Sequence, residues 1–418
     1  MAKEKEAPRK VSRREFVKGA AVGAAGIAAA GALASCAPAA TPTTAPVATA
    51  APTPTTAPVP ECPPCPTPWI PEKWDEEADV VVCGYGTTGM AAAIDAHDAG
   101  ADVLIIEKWD EPGGALRRCG GGIVGANTVV QRALGIVDDT PDALYEYVLA
   151  CGEGYTDPAL HRVYADNAGK NVDWIIQDLG GQPVSEWEFS EPMTLQPGLN
   201  VSGTPVHFEE FGLPEVIRCH WFKPATEPWA DGLPGGTGLF KPFDDSIKAR
   251  EIRTMLGTTL IELVATTDRE VLGIKALSGG KSLYIKAKKG VVLASGGWVN
   301  NAKMIRDYMP FGEPGGGIEH SDHAHGEGVI AAHAIGADLI NMPAIEENRC
   351  DCSGGLRINP KAQVIDVYGD PIPRLYAGGC VAGGSIAYKY PSCGTYVSVA
   401  VCFGRIAGTN AAGEEPWV

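Results

Sequence analysis

Gly84, Gly86 and Gly89 stand in the spacing GxGxxG, a pattern suited to holding a diphosphate. A first glycine permits a tight turn, a second lets backbone amides approach an anion, and a third lets the next helix pack on the preceding strand. Thr88 falls in the same turn. The amino end of the helix that follows carries about half a positive charge towards the phosphates. Glu107 lies 23 residues beyond Gly84, where a carboxylate accepts hydrogen bonds from ribose hydroxyls, and Lys108 is next to it. These residues predict a dinucleotide site; a glycine-rich turn in an ordinary βαβ unit is the plainer alternative.

To place those groups the chain must run strand, turn, helix, strand. The apolar β-branched run Val80, Val81, Val82 predicts the first strand, and Val103, Leu104, Ile105 and Ile106 predict the second, ending at Glu107. With 418 residues, 45% of them hydrophobic, the chain can bury one large core or two ordinary ones. Its net charge is −17, and because the first 36 residues hold seven Lys or Arg against three acids, the remainder carries −21. Such a balance argues against nucleic acid as a partner.

The amino-terminal residues read as an address. Ser12, Arg13, Arg14, Glu15, Phe16, Val17 and Lys18 resemble a twin-arginine export signal and precede an apolar small-residue run from Gly19 to Ala34. Leu33, Ala34, Ser35 and Cys36 resemble a lipoprotein cleavage box. Residues 1–36 are therefore expected to be a signal, with the protein held at the extracytoplasmic face of the membrane by a lipid anchor or the uncleaved signal. Residues 37–71, rich in Ala, Pro and Thr, cannot bury a core and predict a semi-extended linker. Cys62 and Cys65 inside it form CPPC with no following His, which excludes a c-type haem attachment site and suits a disulfide or an idle pair better than a redox centre.

Further along, Gly113 and Gly114 are followed by Gly120, Gly121 and Gly122. Asp138 to Gly180 reads as helical, with Leu144, Tyr147, Val148, Val163, Trp174 and Ile175 suited to buried faces. Between Gly181 and Lys248 no periodicity is visible; aromatic residues accumulate there, including Trp187, Phe189, Phe208, Phe211, Trp221, Phe222, Trp229, Phe240 and Phe243. They predict either irregular covering over a core or the lining of a pocket. Leu256 to Gly297 supplies strands leading to the turn Ala294, Ser295, Gly296, Gly297. From Gly354 the chain reads GGLRINPKAQVIDVYGDPIPRLYAGGCVAGGS, with FGRIA at Phe403 to Ala407.

These segments together resemble the flavoprotein family that contains fumarate reductase, succinate dehydrogenase and the 3-ketosteroid dehydrogenases. The resemblance covers most of Asp79 to Gly413. It implies an α/β fold: a Rossmann-like FAD-binding domain, formed by 76–298 and 350–418, with a small β-meander and a reduced cap domain. The glycine pair and triplet are those that wrap the FAD, Ser295, Gly296 and Gly297 lie near its adenosine half, and Gly379 and Cys380 stand where its ribityl chain is met. Ala115 replaces an expected hydroxyl residue, and Cys380 an expected Glu or Asn. The flavin-linking His of the succinate dehydrogenase branch is absent, so the implied FAD is non-covalent.

Reduction or dehydrogenation of a C–C bond needs hydride exchange with a flavin and a protein group for the proton. The RLGGNS-like stretch of fumarate reductases is missing, and YPSCG at 390–394 resembles instead the YPxxG element of 3-ketosteroid dehydrogenases. That match implies Tyr390 as hydrogen-bond donor to a substrate carbonyl and the Gly394 amide as second oxyanion contact; a core Tyr before a turn Pro is the alternative. Only 56 residues separate Gly297 from Gly354, so 299–349 is expected to be a vestigial cap. Within it His320, Asp322, His323, His325 and Glu327 suit a helix-leading turn better than a metal cluster. The expected protein is an exported FAD-dependent oxidoreductase acting on a small molecule beside a carbonyl, with a separate quinone- or cytochrome-linked redox partner. A flavin-binding electron-transfer or partner-binding subunit is the alternative.

Overall fold

The computed structural model describes residues 70–184, 213, 216, 218–226, 234–309, 324–343, 353–385 and 391–417. The signal, the linker with Cys62 and Cys65, Tyr390, the aromatics Trp187, Phe189, Phe208, Phe211 and Trp229, and His320, Asp322 and His323 lie outside them. Among the described residues no helix is long and apolar enough to cross a membrane.

The chain opens with β1 (Glu76–Cys83), α1 (Thr87–Asp98) and β2 (Val103–Ile106), the unit expected from the glycine pattern. Short elements follow: α2 (Gly114–Arg118), β3 (Ile123–Val124) and α3 (Val129–Ala133). Then come α4 (Pro141–Cys151), α5 (Pro158–Gln177), β4 (Cys219–His220), α6 (Pro234–Ala249) and β5 (Arg253–Met255). A meander of β6 (Thr258–Ala265), β7 (Val271–Ser278) and β8 (Lys281–Leu293) leads to α7 (Ala302–Tyr308), α8 (Glu327–His333) and β9 (Leu339–Ile340). Last are β10 (Gly355–Arg357), β11 (Gln363–Ile365), β12 (Pro371–Ala377), β13 (Ala382–Gly383) and α9 (Thr395–Ala412).

One sheet runs in the order β11-β12-β8-β1-β2-β5, with β7 also pairing β8 and β6 pairing β7. Its central pairs β12–β8, β8–β1, β1–β2 and β2–β5 are all parallel, whereas the meander pairs are antiparallel. A parallel sheet is covered on both faces, which is why Val80–Val82 and Val103–Ile106 are apolar without alternation and buried. The α/β expectation and the meander are both present. β8 serves both halves, because its first residues pair with β7 and its last, Val291–Leu293, lie between β1 and β12.

Helix α1 carries Ala91, Ala92, Ala93 and Ala96 inward and packs on α9. Small residues on both helices permit the approach: a Cβ on Gly408 would lie 2.1 Å from the Ala92 carbonyl oxygen. Two expectations need correction. Asp138–Gly180 is two helices, separated at Gly152–Asp157, and each starts on a side-chain cap followed by Pro: Thr140 Oγ1 accepts from the Ala143 amide and Asp157 Oδ1 from the Ala159 amide. In the stretch read as aperiodic, α6 presents Leu239, Phe240, Phe243 and Ile247, all buried. Phe222, Phe240 and Phe243 are therefore core residues. Three glycines and Pro242 within α6 hide its pattern, since both types disfavour a helix interior.

Parts of 299–349 lie directly on the sheet-bearing body. β9 pairs antiparallel with β10, which pairs parallel with β13, and the Gly326 amide donates to the Gly297 carbonyl at 3.0 Å. Gly408→Val is expected to force α1 and α9 apart and to cost at least about 2 kcal/mol of unfolding free energy in a urea titration; an unchanged midpoint would show that the helices can separate freely.

Candidate functional site

Three parallel strands end side by side and set the site. The Gly84 amide donates to the Ile106 carbonyl at 2.8 Å, and the Ala294 amide donates to the Cys83 carbonyl at 2.9 Å, so the turns after β1, β2 and β8 adjoin. Gly84 has φ +122°, and a Cβ there would lie 2.3 Å from the Ala294 carbonyl oxygen. A Cβ on Gly89 would lie 1.8 Å from the Gly84 carbonyl oxygen, so α1 starts hard against the turn. Gly86 is different: nothing stands within 4 Å of the position its side chain would take. Opposite, the Gly114 position lies 3.6 Å from the Gly86 Cα, and the Gly113 amide ties the two turns by donating to the Tyr85 carbonyl at 2.9 Å. Gly296, with φ +74°, also borders open space.

The result is a trough walled by backbone at the carboxyl ends of parallel strands, beside the amino end of α1. No side chain caps that helix and no acid stands in its first turn, so its leading amides and the helix dipole are available to an anion. At the end of β2 the Glu107 carboxylate accepts from the Tyr85 amide at 2.8 Å and from the Trp109 amide at 3.0 Å. Each oxygen keeps acceptor capacity for a hydroxyl. This combination fits the phosphates and ribose of a dinucleotide.

The remaining predicted cofactor residues fall into two neighbourhoods. Thr88 packs on Gly379, whose φ is +67° and whose Cβ would lie 2.3 Å from Thr88 Oγ1; Cys380 follows in a short 3-10 turn, half-buried. Ser295 Oγ accepts from the Gly328 amide at 3.2 Å, and the Gly297 carbonyl accepts from the Gly326 amide at 3.0 Å, which docks the turn before α8 onto the trough's rim. Lys108 Nζ makes an ion pair with Glu327 at 2.7 Å and contacts His325 Nδ1 at 3.4 Å, so it braces that turn. Gly121 and Gly122 stand elsewhere. A Cβ on Gly121 would lie 2.0 Å from the Gly235 carbonyl oxygen, and one on Gly122 would lie 2.7 Å from Cys219 Sγ.

Gly122 also meets Gly394, whose Cβ would lie 2.5 Å from the Gly122 carbonyl carbon. Gly394 is the residue from which α9 springs, with φ +85° and no side-chain cap. Around it is a polar assembly that pattern reading missed. Arg218 binds Asp139 through two nitrogens, Nε and Nη2, at 3.0 and 2.8 Å, with both side chains buried. Its guanidinium lies 5.6 Å from the centroid of the Tyr147 ring, and the Tyr147 hydroxyl donates to the carbonyl of Pro391. Burial, first of its causes, pushes the Tyr147 phenol up, so it stays a donor. Beside it His220 Nδ1 lies 3.3 Å from the Ile123 carbonyl and Nε2 2.8 Å from Thr128 Oγ1. A carbonyl only accepts, so the proton sits on Nδ1 and Nε2 accepts from the Thr128 hydroxyl. Arg218 and His220 flank Cys219, and the two-residue strand β4 that Cys219 and His220 form is too short for a sequence signal.

Residues 79–348 match the FAD binding domain family, and the chain belongs to it. The cofactor of that family is FAD, a dinucleotide. Among curated relatives, NADH:fumarate oxidoreductase of Klebsiella pneumoniae is 30% identical over 270 residues, covering 64% of this chain and 25% of that protein. Digoxin reductase of Eggerthella lenta is 29% identical over 365 residues, covering 83% of this chain and 58% of the relative. The chain therefore spans well under two thirds of either. Among solved structures, 3-ketosteroid-Δ4-(5α)-dehydrogenase of Rhodococcus jostii shares the fold with a TM-score of 0.70 at 23% identity, covering 82% of this chain and 98% of that one.

Burial, its largest cause, lowers the pKa of His220 from the ordinary 6.5. The unfolded chain then binds the proton first as pH falls, so stability is complete above 6.5 and is lost below it towards the folded-state value. Each unit of pH below 6.5 is expected to cost up to about 1.4 kcal/mol. His220→Gln should flatten that part of the stability–pH curve in thermal unfolding, and parallel curves for the two proteins would refute the assignment.

Proposed function

We propose that this chain is the flavoprotein of an exported oxidoreductase that reduces or dehydrogenates a C–C bond adjacent to a carbonyl, in an enone, enoate or ketosteroid-like molecule. The single observation that carries the reading is the convergence of the turn at 391–394 with the glycine triplet: Gly394 rests on Gly122 while Tyr147 holds Pro391. Bound FAD supplies two-electron chemistry, exchanging hydride with a substrate carbon.

The chain's own residues handle the oxygen and the proton. Tyr390 donates a hydrogen bond to the substrate carbonyl; a phenol with a pKa near 10 is protonated at neutral pH and needs no tuning for this. The Gly394 amide, at the positive end of the 18-residue helix α9, is the second donor to the developing oxyanion. The chain of contacts from Asp139 through Arg218 and Tyr147 positions Pro391, the residue that follows Tyr390 in the sequence. Fumarate and digoxin in the names of two relatives, and the ketosteroid dehydrogenase with the same fold, support an unsaturated carbonyl compound as substrate.

In this proposal residues 1–36 direct twin-arginine export, Cys36 carries a lipid anchor, and 37–71 tether the flavoprotein at the outer face of the membrane. Electrons pass to or from a separate quinone- or cytochrome-linked partner. Residues 299–349 form a reduced cap, since their described parts lie on the FAD-binding body. That small cover favours one second reading, a flavin-binding electron-transfer subunit with little catalysis of its own.

The test is anaerobic turnover of the purified flavoprotein with a reduced dye and a panel of enones, ketosteroids and fumarate. Dye oxidation that depends on one compound is expected, and Tyr390→Phe should keep the flavin spectrum while lowering turnover by about 2 to 4 orders of magnitude. Full activity in that variant would remove Tyr390 from the mechanism. A flavin that the dye reduces but no compound reoxidises would favour the electron-transfer reading.

A further inference from the structure

Three thiols surround the loop Gly120–Gly122. Cys119 is held by backbone: its Sγ donates to the Leu116 carbonyl at 3.2 Å and accepts from the Gly121 amide at 3.3 Å. Cys219 and Cys393 instead face each other. Their sulfurs lie 2.7 and 3.3 Å from the one point where a side chain on Gly122 would begin, and they share a hydrogen bond. Only the lack of a Cβ at Gly122 leaves room for both. The seven described cysteines are all thiols.

The pair is chemically asymmetric. Cys219 is 4% exposed, and its hydrogen bond to Cys393, followed by burial, holds its thiol well above the ordinary value. Cys393 is partly exposed and lies one residue before Gly394, the start of α9. The amino end of a helix favours negative charge, and the thiolate is the attacking form of cysteine. An accessible sulfur at a helix amino end, with a buried thiol in contact behind it, is the arrangement that thiol–disulfide exchange requires. Cys83, Cys151 and Cys402 lack it, because all three are buried, and burial pushes Cys402 up to about 12.

We infer that Cys219 and Cys393 are a thiol–disulfide exchange site, with Cys393 the attacking sulfur and Cys219 the resolving one, and an organic disulfide as the oxidant. In the first step the Cys393 thiolate attacks the organic disulfide, whose S–S bond breaks; one half leaves as a thiolate and takes up the proton that Cys393 lost. In the second, Cys219 gives up its proton and attacks the Cys393 sulfur of the mixed disulfide, and the second half leaves as a thiol. One S–S bond and two S–H bonds are exchanged for the same number, and the organic disulfide is reduced. The product ties β4 to the start of α9 across Gly122. An oxidising compartment outside the cytoplasm would favour it.

The test equilibrates the flavin-loaded protein with reduced and oxidised glutathione at several ratios, quenches with an alkylating agent and maps the peptides. A Cys219–Cys393 disulfide is expected, with Cys393 consumed at least about tenfold faster than Cys83, Cys151 or Cys402. Cys219→Ser should trap Cys393 as its glutathione mixed disulfide, and Cys393→Ser should leave Cys219 alkylated only after unfolding. The flavin absorption spectrum reports that each protein is folded. The inference is overturned if both residues are recovered as thiols at every ratio from folded protein, or if Cys119 is joined to either.

Discussion

Backbone meeting backbone at Gly84, Gly89 and Ala294 is the constraint on which the structure depends. Pairing β1 with β2 on one side and β8 on the other places three strand ends together, and the chain can turn there only where side chains are absent. A Cβ at Gly84 or Gly89 would stand 2.3 or 1.8 Å from a carbonyl oxygen. Because those positions are filled by neighbouring backbone, the space that remains lies over Gly86 and Gly296. The trough is thus what the parallel sheet leaves open where its strand ends converge. The same economy of side chains recurs where α9 crosses α1 at Gly404 and Gly408 and where Gly235 meets Gly120 and Gly121.

A second, polar constraint governs the other side. Arg218 and Asp139 are buried together, and an unpartnered charge at such depth would be costly, so the two hold each other in place. Through the face of Tyr147 and the Pro391 carbonyl that fixed point reaches the turn from which α9 begins. In the proposed reaction the Gly394 donor would be placed by this buried pair rather than by its own loop, which suits a group that must meet a carbonyl as charge develops on it. Glycine supplies closeness in the trough, and buried polar contacts supply direction beside Gly394.

Much of this was legible in the residues, for local reasons. The GxGxxG turn, the apolar strands and Glu107 each show their physical requirement within a few positions, and the meander and the FAD-binding fold were implied by the resemblance of longer segments to a flavoprotein family. What was hidden depended on contacts between distant segments. Helix α6 was obscured because its glycines and Pro242 are weak helix formers, and it persists because Leu239, Phe240, Phe243 and Ile247 bury a common face. The break between α4 and α5 rests on caps at Thr140 and Asp157 that a periodicity count passes over. Arg218, Asp139 and His220 have no spacing to betray them. Gly121 and Gly122 were legible as glycines, and their closeness to Gly235, two sulfurs and Gly394 was not.

The most direct test of the trough as the FAD site is the flavin content of the purified protein, measured by absorbance after denaturation, for the natural sequence and for Gly86→Asp. The substitution fills the open space over Gly86 and sets a carboxylate at the positive end of α1, against the phosphates. One FAD released per chain from the natural protein, and almost none from the folded variant, is the expected result. Equal flavin in both proteins would contradict the placement of the cofactor and the account built on it.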